Sequence, residues 1–495
     1  MEFFLPAVEL VAQPSVLLAI LFGTVIGTIV GVLPGLGPVV AITVCLPFTF
    51  SMGQIPAIAL MLSVYCTSTY GGSISAVLIN TPGTPASAAT CLDGFPMTKR
   101  GKADRALGWV TIASVIGGLF SVVVLIFAAP QLAAIALKFG PQETFALIVL
   151  AMTCMAAVSR ESMVKGLLAG MIGLFLSVFG PDPITGDIRF SFGIFQLTAG
   201  FSLLPVLVGI FAFSEVFVRA AGLHPAVDVS QMRVGFSVPP WAEWRIRLGV
   251  LFKSSAIGSF VGTLPGTGAA VASFMSYAEA KRSSPRRENL GKGEPDGLIA
   301  SEAANNAVTG GALVPTLALG IPGDPVTAIM MSTFIIHGVA VGVRLFVDSP
   351  VIVYTMFVSL ILVNVLMLVI GAFGAQFFTR LLRVPEPLLM SMVVILTFVG
   401  SYAVRNSEFD LLVTFVAGIL GFAMRRNGFP TAPVVIGLVL GPRLEENLRM
   451  GLVLSDGNFG TFFESPLVVF LFVLTAALLG WPVIRARISG LFKKK

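Results

Sequence analysis

Charged residues are scarce in this chain. They make up 11% of its 495 residues, whereas hydrophobic residues make up 56% and the mean hydropathy is +0.94. Soluble domains carry roughly 25% charged residues, so a chain of this length with so few charges cannot cover a water-exposed surface. The composition therefore excludes an ordinary soluble globular protein.

Histidine and cysteine are also rare. The two histidines, His224 and His337, are both expected at helix ends and are too few for a metal or haem site. No Gly-Lys-Ser/Thr follows a glycine-rich string, and no Gly-x-Ser-x-Gly elbow occurs, which argues against a nucleotide loop or a hydrolase. We therefore expect no enzymatic activity and no cofactor. The cysteines have no paired spacing and are interpreted as small apolar residues: Cys45, Cys66, Cys91 and Cys154.

The net charge of +6 does not require a polyanionic partner. The basic residues lie in short loops between apolar runs, as is typical of cytoplasmic loops in membrane proteins, so no nucleic acid is expected as a partner. The first dozen residues carry Glu2 and Glu9 and lack a basic start, and we expect no cleavable signal peptide.

Long apolar runs recur along the chain, for example Ala106–Ala129, Val351–Phe378 and Pro466–Ile484. About 20 helical residues cross a hydrocarbon core of roughly 30 Å. Because lipid cannot satisfy unpaired backbone groups, such runs are expected to be helices. The sequence therefore predicts an all-α polytopic membrane protein in contact with the lipid bilayer.

An internal repeat is visible. The string Gly27–Gly37, with Leu33-Pro34-Gly35 at its centre, recurs in the second half of the chain as Gly258–Gly268, with Leu264-Pro265-Gly266. Further pairs follow in the same order, which indicates two homologous halves. They are Gly71-Gly72 with Thr81–Pro85 against Gly310-Gly311 with Ile321–Pro325, Gly170 and Gly173 against Gly418 and Gly421, and, more weakly, Leu207–Gly209 and Glu215 against Val439–Gly441 and Glu446.

The basic loops indicate the relative orientation of the two halves. In the first half the basic loop Lys99–Arg105 follows the second motif, whereas in the second half the basic stretch Lys281–Lys292 precedes it. If both loops are cytoplasmic, the halves cross the membrane in opposite senses. Such inverted repeats are characteristic of secondary transporters, whose substrate site lies where the repeats meet.

We predict two inverted-topology repeats, 1–230 and 245–465, followed by an extra C-terminal span and a basic cytoplasmic tail in 466–495. Each repeat contains a re-entrant hairpin, with tips near 34–37 and 265–268, and a broken helix, near 81–85 and 321–325. About eleven spans are expected besides the two hairpins, with the N-terminus outside and the C-terminus inside. The spans are predicted near 57–79, 106–129, 142–158, 166–180, 194–218, 300–335, 350–378, 388–404, 411–425, 430–442 and 466–484.

The four Pro-Gly breaks carry the predicted substrate site. A helix break is tolerated at membrane depth only where the freed backbone is buried in protein or faces a polar cavity. A half-helix beginning at each break would direct unpaired N–H groups and a positive dipole end at an anion. The residues predicted to bind substrate are Pro34, Gly35, Gly37, Asn80, Thr81, Gly83, Thr84, Ser87, Pro265, Gly266, Thr267, Gly268, Pro322 and Gly323.

Polar residues beside the last break are candidate ligands for a coupling cation. Asn305, Asn306 and Asp324 offer the hard oxygen donors that Na⁺ prefers, although the asparagines are equally compatible with helix capping or bridging. Glu302 is compatible with a position at the cytoplasmic interface. The Gly-xxx-Gly spacings of the hairpins are also consistent with close helix packing rather than with binding.

These strings closely resemble the large membrane subunit of the tripartite tricarboxylate transporter family. The matching stretches run over essentially the whole chain: Gly31–Pro38, Tyr70–Ser73, Asn80–Ser87, Asp93–Met97, Lys99–Ala103, Leu264–Ala269, Glu302–Asn306 and Gly320–Pro325.

The resemblance implies a permease of the bacterial inner membrane that works with a small four-span membrane subunit and a periplasmic solute-binding protein. It implies symport of a di- or tricarboxylate substrate, driven by a gradient of Na⁺ or H⁺. A stand-alone carrier or exporter of another organic anion, a channel and a membrane-embedded enzyme remain as alternatives. The channel is disfavoured by the paired broken helices and the enzyme by the missing catalytic set.

Overall fold

The computed structural model of the chain describes residues 3–158, 162–222 and 235–492. His224 and the Lys493–Lys495 tail lie outside the described residues. Helices make up most of the described chain, and its strands form one short antiparallel pair, β1 (Gly180–Pro181) and β2 (Ile188–Arg189).

The first half contains ten helices in its described part. They are α1 (Phe4–Val11), α2 (Pro14–Val32), α3 (Gly37–Thr49), α4 (Gln54–Ile79), α5 (Ala88–Lys99), α6 (Ala103–Ala136), α7 (Pro141–Val158), α8 (Met163–Ser177), α9 (Leu203–Val208) and α10 (Ser214–Ala221), with a π-helical turn Gly209–Phe213 between the last two.

The second half and the C-terminus contribute twelve more in the described chain. They are α11 (Trp241–Arg245), α12 (Leu248–Thr263), α13 (Gly268–Ser283), α14 (Pro295–Leu319), α15 (Pro325–Ile336), α16 (Val343–Asp348), α17 (Pro350–Phe373), α18 (Ala375–Leu381), α19 (Glu386–Arg405), α20 (Glu408–Arg426), α21 (Ala432–Val453) and α22 (Pro466–Phe492).

Six helical segments are long and apolar enough to cross a membrane: Pro14–Val32, Gln54–Ile79, Ala103–Ala136, Leu203–Ala221, Pro350–Phe373 and Pro387–Arg405. Several shorter apolar helices accompany them, among them α3, α8 and α12. The all-α character is thus confirmed, and the chain is a multi-pass membrane protein by the length and composition of its helices. The number of spans and the sense in which they cross stay predictions.

One predicted span begins later than expected. The prediction placed it near 194–218, but Phe195–Ala199 forms a 3₁₀ turn and Gly200 follows with φ +72°. This left-handed conformation stops the turn, and the α-helix begins only at Leu203. The segment Leu203–Ala221 is still long enough to span.

Two helical hairpins, α2–α3 and α12–α13, have the same turn. Leu36 N donates to Leu33 O at 3.3 Å, and Thr267 N donates to Leu264 O at 3.3 Å, which are equivalent positions of the repeated string. Each turn therefore returns the chain after one Leu-Pro-Gly string, as the repeated sequence predicts.

The first arm of each hairpin packs on a long buried helix, α2 on α4 and α12 on α14. A Cβ atom added at Gly31 would lie 3.0 Å from Gly71 Cα, and one added at Gly262 would lie 3.0 Å from Gly311 Cα. Gly31 and Gly262 occupy equivalent positions of the repeated string. Their contacts therefore show that Gly71 of α4 and Gly311 of α14 are also in equivalent places. The hairpin arm and its long helix thus pack alike in both halves.

The two long helices α4 and α14 run in opposite directions where they touch. Ser73 Oγ donates to Glu302 Oε1 at 2.6 Å, Asn305 Nδ2 to Thr69 O at 3.5 Å, and Tyr65 Oη to Asp324 Oδ2 at 2.6 Å. From Ser73 back to Tyr65 the chain runs towards the start of α4, whereas the partners of these residues run forwards along α14 and into the second break. Equivalent helices of the two halves are thus antiparallel in this contact.

The last helices of each half pack across to the other half. Helix α8 lies against α21, where Gly437 approaches Gly173, and α20 lies against the π-helical turn, where Gly421 approaches Ile210. In each case a glycine removes the side chain that would otherwise hold the backbones apart. The halves are therefore interleaved rather than separate bodies.

The two basic loops adjoin each other. The buried Asp93 of α5 accepts hydrogen bonds at Oδ1 from the amides of Gly291, Gly293 and Glu294, at 2.7–2.9 Å. Tyr277 Oη of α13 donates to the other carboxylate oxygen at 2.8 Å. The end of the first half's broken helix is in this way fixed to the loop that precedes α14.

Candidate functional site

The two hairpin tips place glycines in conformations that other residues rarely adopt. Gly35 has φ +77° and Gly266 has φ +83°. A Cβ atom added at Gly266 would lie 2.6 Å from Met155 Cα, and one added at Gly35 would overlap the Arg219 guanidinium. The positive φ therefore favours glycine at both tips, and at Gly266 the lack of space beside the Met155 backbone does so as well.

The helices that follow the tips, α3 and α13, begin without a side-chain cap. The first N–H groups of an α-helix have no intrahelical acceptor, and the helix dipole makes this end positive. Gly37 and Gly268, the first residues of α3 and α13, also have positive φ, at +64° and +67°. The first amides of both helices thus have no side-chain acceptor, and an anion-binding role for the two tips stays a prediction.

An ion-paired arginine contacts the first tip, which the sequence alone did not indicate. Arg219 of α10 donates from Nη2 to Pro34 O, and from Nε to Glu215 Oε1 at 3.0 Å. Glu215 is buried and also pairs with Arg425 of α20. Arginine charge thus reaches the tip from another element, although no arginine lies within the Leu-Pro-Gly string.

The two helix breaks are built alike. At the first, Thr84 N donates to Ser87 Oγ and Ser87 N donates to Thr84 Oγ1, each at 3.1 Å. At the second, Asp324 N donates to Thr327 Oγ1 at 3.0 Å and Thr327 N to Asp324 Oδ1 at 2.7 Å. The second pairing is a capping box at the start of α15. The first is the same reciprocal pairing in the turn before α5, whose N-cap Ser87 makes no side-chain cap bond. Amides at the breaks are therefore partly satisfied by side chains, in contrast to those at the tips.

Each tip lies beside the break of its own half. Gly266 N donates to Gly323 O at 2.7 Å, and a Cβ atom added at Gly37 would lie 3.7 Å from Gly83 O. Gly83 N in turn donates to Gly72 O at 3.1 Å. The structure thus assembles two tip-and-break pairs, and among the described residues no hydrogen bond joins one tip to the other.

The remaining predicted substrate residues divide between exposed and buried positions. Asn80 is exposed with φ +55°, whereas Pro322 is buried. Thr81 Oγ1 donates to Ile79 O at 3.3 Å, and Thr267 Oγ1 donates to Val261 O at 2.6 Å. Both hydroxyl groups therefore donate their hydrogen to a nearby backbone carbonyl. Pro34 and Pro265 are half-buried at their tips.

The three predicted cation ligands lie close to the crossing of α4 and α14, and all are buried. Asp324 caps α15 and accepts the Tyr65 hydroxyl, so it has a structural role as well. Asn306 Nδ2 donates to Glu302 O at 3.2 Å within its own helix. Asn305 Nδ2 bridges to α4, while its Oδ1 is buried without a hydrogen-bond partner in the described chain.

Glu302 does not lie at an interface. Its side chain is 0% exposed, among hydroxyls from α4, α5 and α6. Sequence reasoning considered this residue but not its environment, because the hydroxyl partners are 188 to 229 residues away along the chain. No local spacing signals such a cluster.

Arg443 is the second arginine that sequence reasoning missed. It donates from Nη1 to Gly320 O at 3.2 Å and from Nη2 to Val341 O at 2.9 Å, which fixes the end of α14 just before the second break. An open groove of about 440 Å³ lies elsewhere, between α12 and α13, lined by Lys253, Glu279 and Arg282 among others. It contains no tip residue and is not the predicted carboxylate site.

A charged cluster outside the apolar helices joins the β-hairpin to α21. Asp182 accepts hydrogen bonds from the amides of Thr185 and Ile184 and pairs with Arg449, and these contacts hold the pKa of its carboxyl well below the usual value. Arg189 pairs with Glu445, which raises the pKa of the guanidinium. The loop after α8 is in this way attached to the second half.

Comparisons with known proteins agree with the resemblance noted from the motifs. A family model described as "Tripartite tricarboxylate transporter TctA family" matches residues 17–436. An uncharacterized 52.8 kDa protein in the TAR-I ttuC' 3' region of Agrobacterium vitis is 35% identical over 446 residues, covering 89% of this chain and 88% of that protein. An uncharacterized protein in the TAR-II ttuC' 3' region of the same organism is 34% identical over 223 residues, covering 45% of this chain and 89% of that protein.

No solved structure matches the chain. The family match spans both tips, both breaks and the crossing of α4 with α14, and it names a transporter family rather than a class of enzymes. The chain therefore belongs to the tripartite tricarboxylate transporter TctA family, as a multi-pass membrane component of transporters that have further subunits.

Proposed function

We propose that this chain is the permease subunit that imports di- or tricarboxylates across the bacterial inner membrane. It works with a small four-span membrane subunit and a periplasmic binding protein, which delivers the substrate. A gradient of Na⁺ or H⁺ drives the uptake. Its N-terminus faces outside and its C-terminus faces the cytoplasm.

The observation that carries the proposal is the pair of uncapped hairpin helices at Gly35 and Gly266. Their N-terminal amides and dipole ends attract carboxylates, and the positive-φ glycines allow close approach of an anion. The Arg219 guanidinium adds positive charge beside the first tip. Together these groups favour an anionic substrate over a neutral or cationic one.

The antiparallel contact of α4 with α14 supports alternating access. We propose that the two equivalent tip-and-break pairs, related by opposed helices, exchange exposure to the two sides of the membrane, as the repeats of secondary transporters do. In this proposal the substrate lies between the tips, and the breaks supply the hinges. A one-sided opening of such a site is what a carrier requires and a channel does not.

The test is uptake of labelled citrate and other di- and tricarboxylates into proteoliposomes that contain this chain and its small partner. Purified binding protein is added or omitted, and sodium and pH gradients are imposed separately. We expect uptake that requires both the binding protein and one gradient. Gradient-driven uptake without binding protein would instead identify a stand-alone carrier, and absence of uptake for every carboxylate would overturn the substrate class.

A further inference from the structure

Glu302 is a carboxylate enclosed by hydroxyl groups from three other helices. Ser73 of α4 donates to Oε1 at 2.6 Å, Thr90 of α5 donates to the same oxygen, and Ser114 of α6 donates to Oε2 at 3.0 Å. All four residues are 0% exposed. Side chains from four helices, α4, α5, α6 and α14, thus bring three hydroxyl oxygens and one carboxylate together.

Among the described residues, no basic side chain balances this carboxylate. The polar side chains directly beside its carboxylate are the three hydroxyls and the Asn305 amide. An ionised carboxylate buried in a membrane protein without a counter-charge is strongly unfavourable, and such groups are normally paired or take up a cation. One bound monovalent cation would neutralise it.

The oxygen donors match that requirement. Each hydroxyl has one hydrogen and two lone pairs, so Ser73, Thr90 and Ser114 can either donate to an ionised carboxylate or turn their lone pairs to a cation. The Asn305 side chain lies against Glu302, one turn further along α14, and its Oδ1 is buried without a hydrogen-bond partner in the described chain. Carboxylate, hydroxyl and amide oxygens are hard ligands, suited to Na⁺ and not to a thiophilic metal.

The position of this cluster connects it to the moving parts of the proposed transporter. Thr90 lies on α5, directly after the first break, and Ser73 lies on α4 directly before it. Glu302 and Asn305 belong to the helix that carries the second break. A cation held between them joins the two broken helices, so its loss would release both.

We propose that Glu302, Ser73, Thr90, Ser114 and Asn305 form the coupling site for one monovalent cation, either Na⁺ or a proton. This proposal rests on the ion-driven transport proposed above and names its site. Na⁺ would be bound by the carboxylate, hydroxyl and amide oxygens, whereas a proton would bind the Glu302 carboxylate itself. Both neutralise the same single charge.

The titratable groups that face Glu302 are few. Tyr70 of α4 and Cys91 of α5 interact with its charge. A pH response that disappears when Glu302 alone is neutralised is therefore assigned to this carboxyl. It cannot be attributed to a neighbouring acid, because Tyr70 and Cys91 remain in the variant.

The first experiment measures binding without transport. The thermal unfolding midpoint of the purified chain is followed against NaCl, with choline chloride as the control salt, and against pH at fixed salt. We expect saturable stabilisation by sodium if Na⁺ is bound, or stabilisation at low pH that is lost as pH rises if a proton is bound. Glu302→Gln should abolish whichever response the unmodified protein shows.

Ser114→Ala provides a milder variant that keeps the charge. For a sodium site we expect about tenfold weaker apparent sodium affinity, since one ligand is removed. Ser255→Ala is the matched control, because Ser255 is equally buried but donates only to Leu251 O of its own helix. It should leave the cation response unchanged.

The second experiment separates coupling from substrate movement. In proteoliposomes, Glu302→Gln should retain exchange of labelled for unlabelled carboxylate but lose gradient-driven accumulation. Cation-dependent stability and accumulation that survive in both Glu302→Gln and Ser114→Ala would overturn the proposal, as would an unmodified protein that responds to neither sodium nor pH. If the unmodified protein moves no carboxylate yet shows the Glu302-dependent cation response, the proposed function fails and the cation site stands.

Discussion

Single residues at the tips and breaks carry two kinds of constraint, one from the backbone and one from the ligand. Gly35 and Gly266 both have positive φ, and Gly266 in addition has the Met155 backbone close to it. Both lie in turns of the repeated Leu-Pro-Gly string, while their place in re-entrant hairpins stays a prediction. The partners of these glycines were not predictable. Arg219 and Met155 approach them from helices with no sequence relation to the tips.

Replacement of Gly35 or Gly266 by leucine should abolish carboxylate uptake while the protein still inserts into the membrane. The side chain at position 266 would overlap the Met155 backbone, and any L-residue at φ near +80° costs about 1 kcal/mol or more. Uptake in proteoliposomes and the amount of protein in the membrane fraction check the prediction.

Gly101→Leu is the control for these two variants. Gly101 also has positive φ, at +74°, but nothing lies within 4 Å of an added Cβ atom and the residue is outside the tips. It should have the same backbone strain and keep uptake. Normal transport by the Gly35 and Gly266 variants would refute the assignment of the tips as substrate site.

Substitutions of Asp324 separate its role as a helix cap from its predicted role as a cation ligand. Asp324→Asn keeps an oxygen for the Thr327 amide and a partner for Tyr65, so its stability should remain within about 0.5 kcal/mol of the unmodified protein. Asp324→Ala removes both contacts and should cost about 2–3 kcal/mol. Thermal unfolding in detergent measures both effects.

If Asp324 is in addition a ligand of the coupling cation, Asp324→Asn should weaken the cation dependence of uptake while leaving stability intact. Unchanged cation dependence in this variant would leave Asp324 with the capping role alone. Asp324→Thr places at the second break the residue that the first break has at the equivalent Thr84. This variant tests whether threonine can make the same backbone contacts at position 324.

At the scale of whole elements, the Gly-xxx-Gly patterns correspond to close contacts between helices. Gly27 and Gly258 lie on the first hairpin arms and press against the backbones of α4 and α14. The Gly-xxx-Gly interpretation thus describes these contacts, while the Pro-Gly positions form the turns. The reciprocal pairings at the breaks were not predicted, although Thr84 with Ser87 and Asp324 with Thr327 have the three-residue spacing of a capping box.

Gly258→Ala should destabilise the packing of α12 on α14. The added methyl group would lie 2.7 Å from Ala304 Cα, so the two backbones must separate. Overpacking of this kind costs about 1–3 kcal/mol. Gly249→Ala in the same helix meets nothing within 4 Å and should be neutral or slightly stabilising, because alanine is the better helix former. A comparison of thermal unfolding midpoints tests the pair, and equal midpoints would contradict the close contact.

The attachment of the β-hairpin to α21 should be insensitive to pH over the usual range. The pKa of Asp182 is lowered in the folded protein, so its stabilising effect is present above the ordinary carboxyl pKa and is lost only as pH falls through the lowered value. Asp182→Asn should therefore lower the unfolding midpoint by the same amount at neutral and at mildly acidic pH. A difference that vanishes at mildly acidic pH would show that the carboxyl is not held by its partners as described.

For the whole molecule, the order of motifs and the position of charges predict opposed halves. Helices α4 and α14 run in opposite directions where they touch, while the sense in which the two halves cross the membrane stays a prediction. The interleaving of the last helices could not be predicted. It depends on which glycine faces meet, and Gly173, Gly421 and Gly437 have no sequence signal that names their partners.

The adjoining basic loops predict a common side of the membrane. Single cysteines placed at Lys102 and Lys292, in a variant without native cysteines, should react with a membrane-impermeant maleimide only from the cytoplasmic side, because Asp93 fixes the second loop beside the first. Ser51 is exposed in the uncharged loop between α3 and α4, which is equivalent to the basic stretch Lys281–Lys292 of the second half. A cysteine at this position should react only from outside. Labelling of positions 102 and 292 from opposite sides would rule out this arrangement.

The burial of α14 has a consequence for how the protein is made. This helix carries Asp296, Glu302, Asn305 and Asn306, and it is not among the six segments apolar enough to cross a membrane unaided. The ribosome releases α14 long after α4 and α6, whose serine hydroxyls donate hydrogen bonds to the Glu302 carboxylate. We therefore expect α14 to enter the bilayer only after α4 and α6 are in place, with the N-terminal half serving as the template for this part of the C-terminal half.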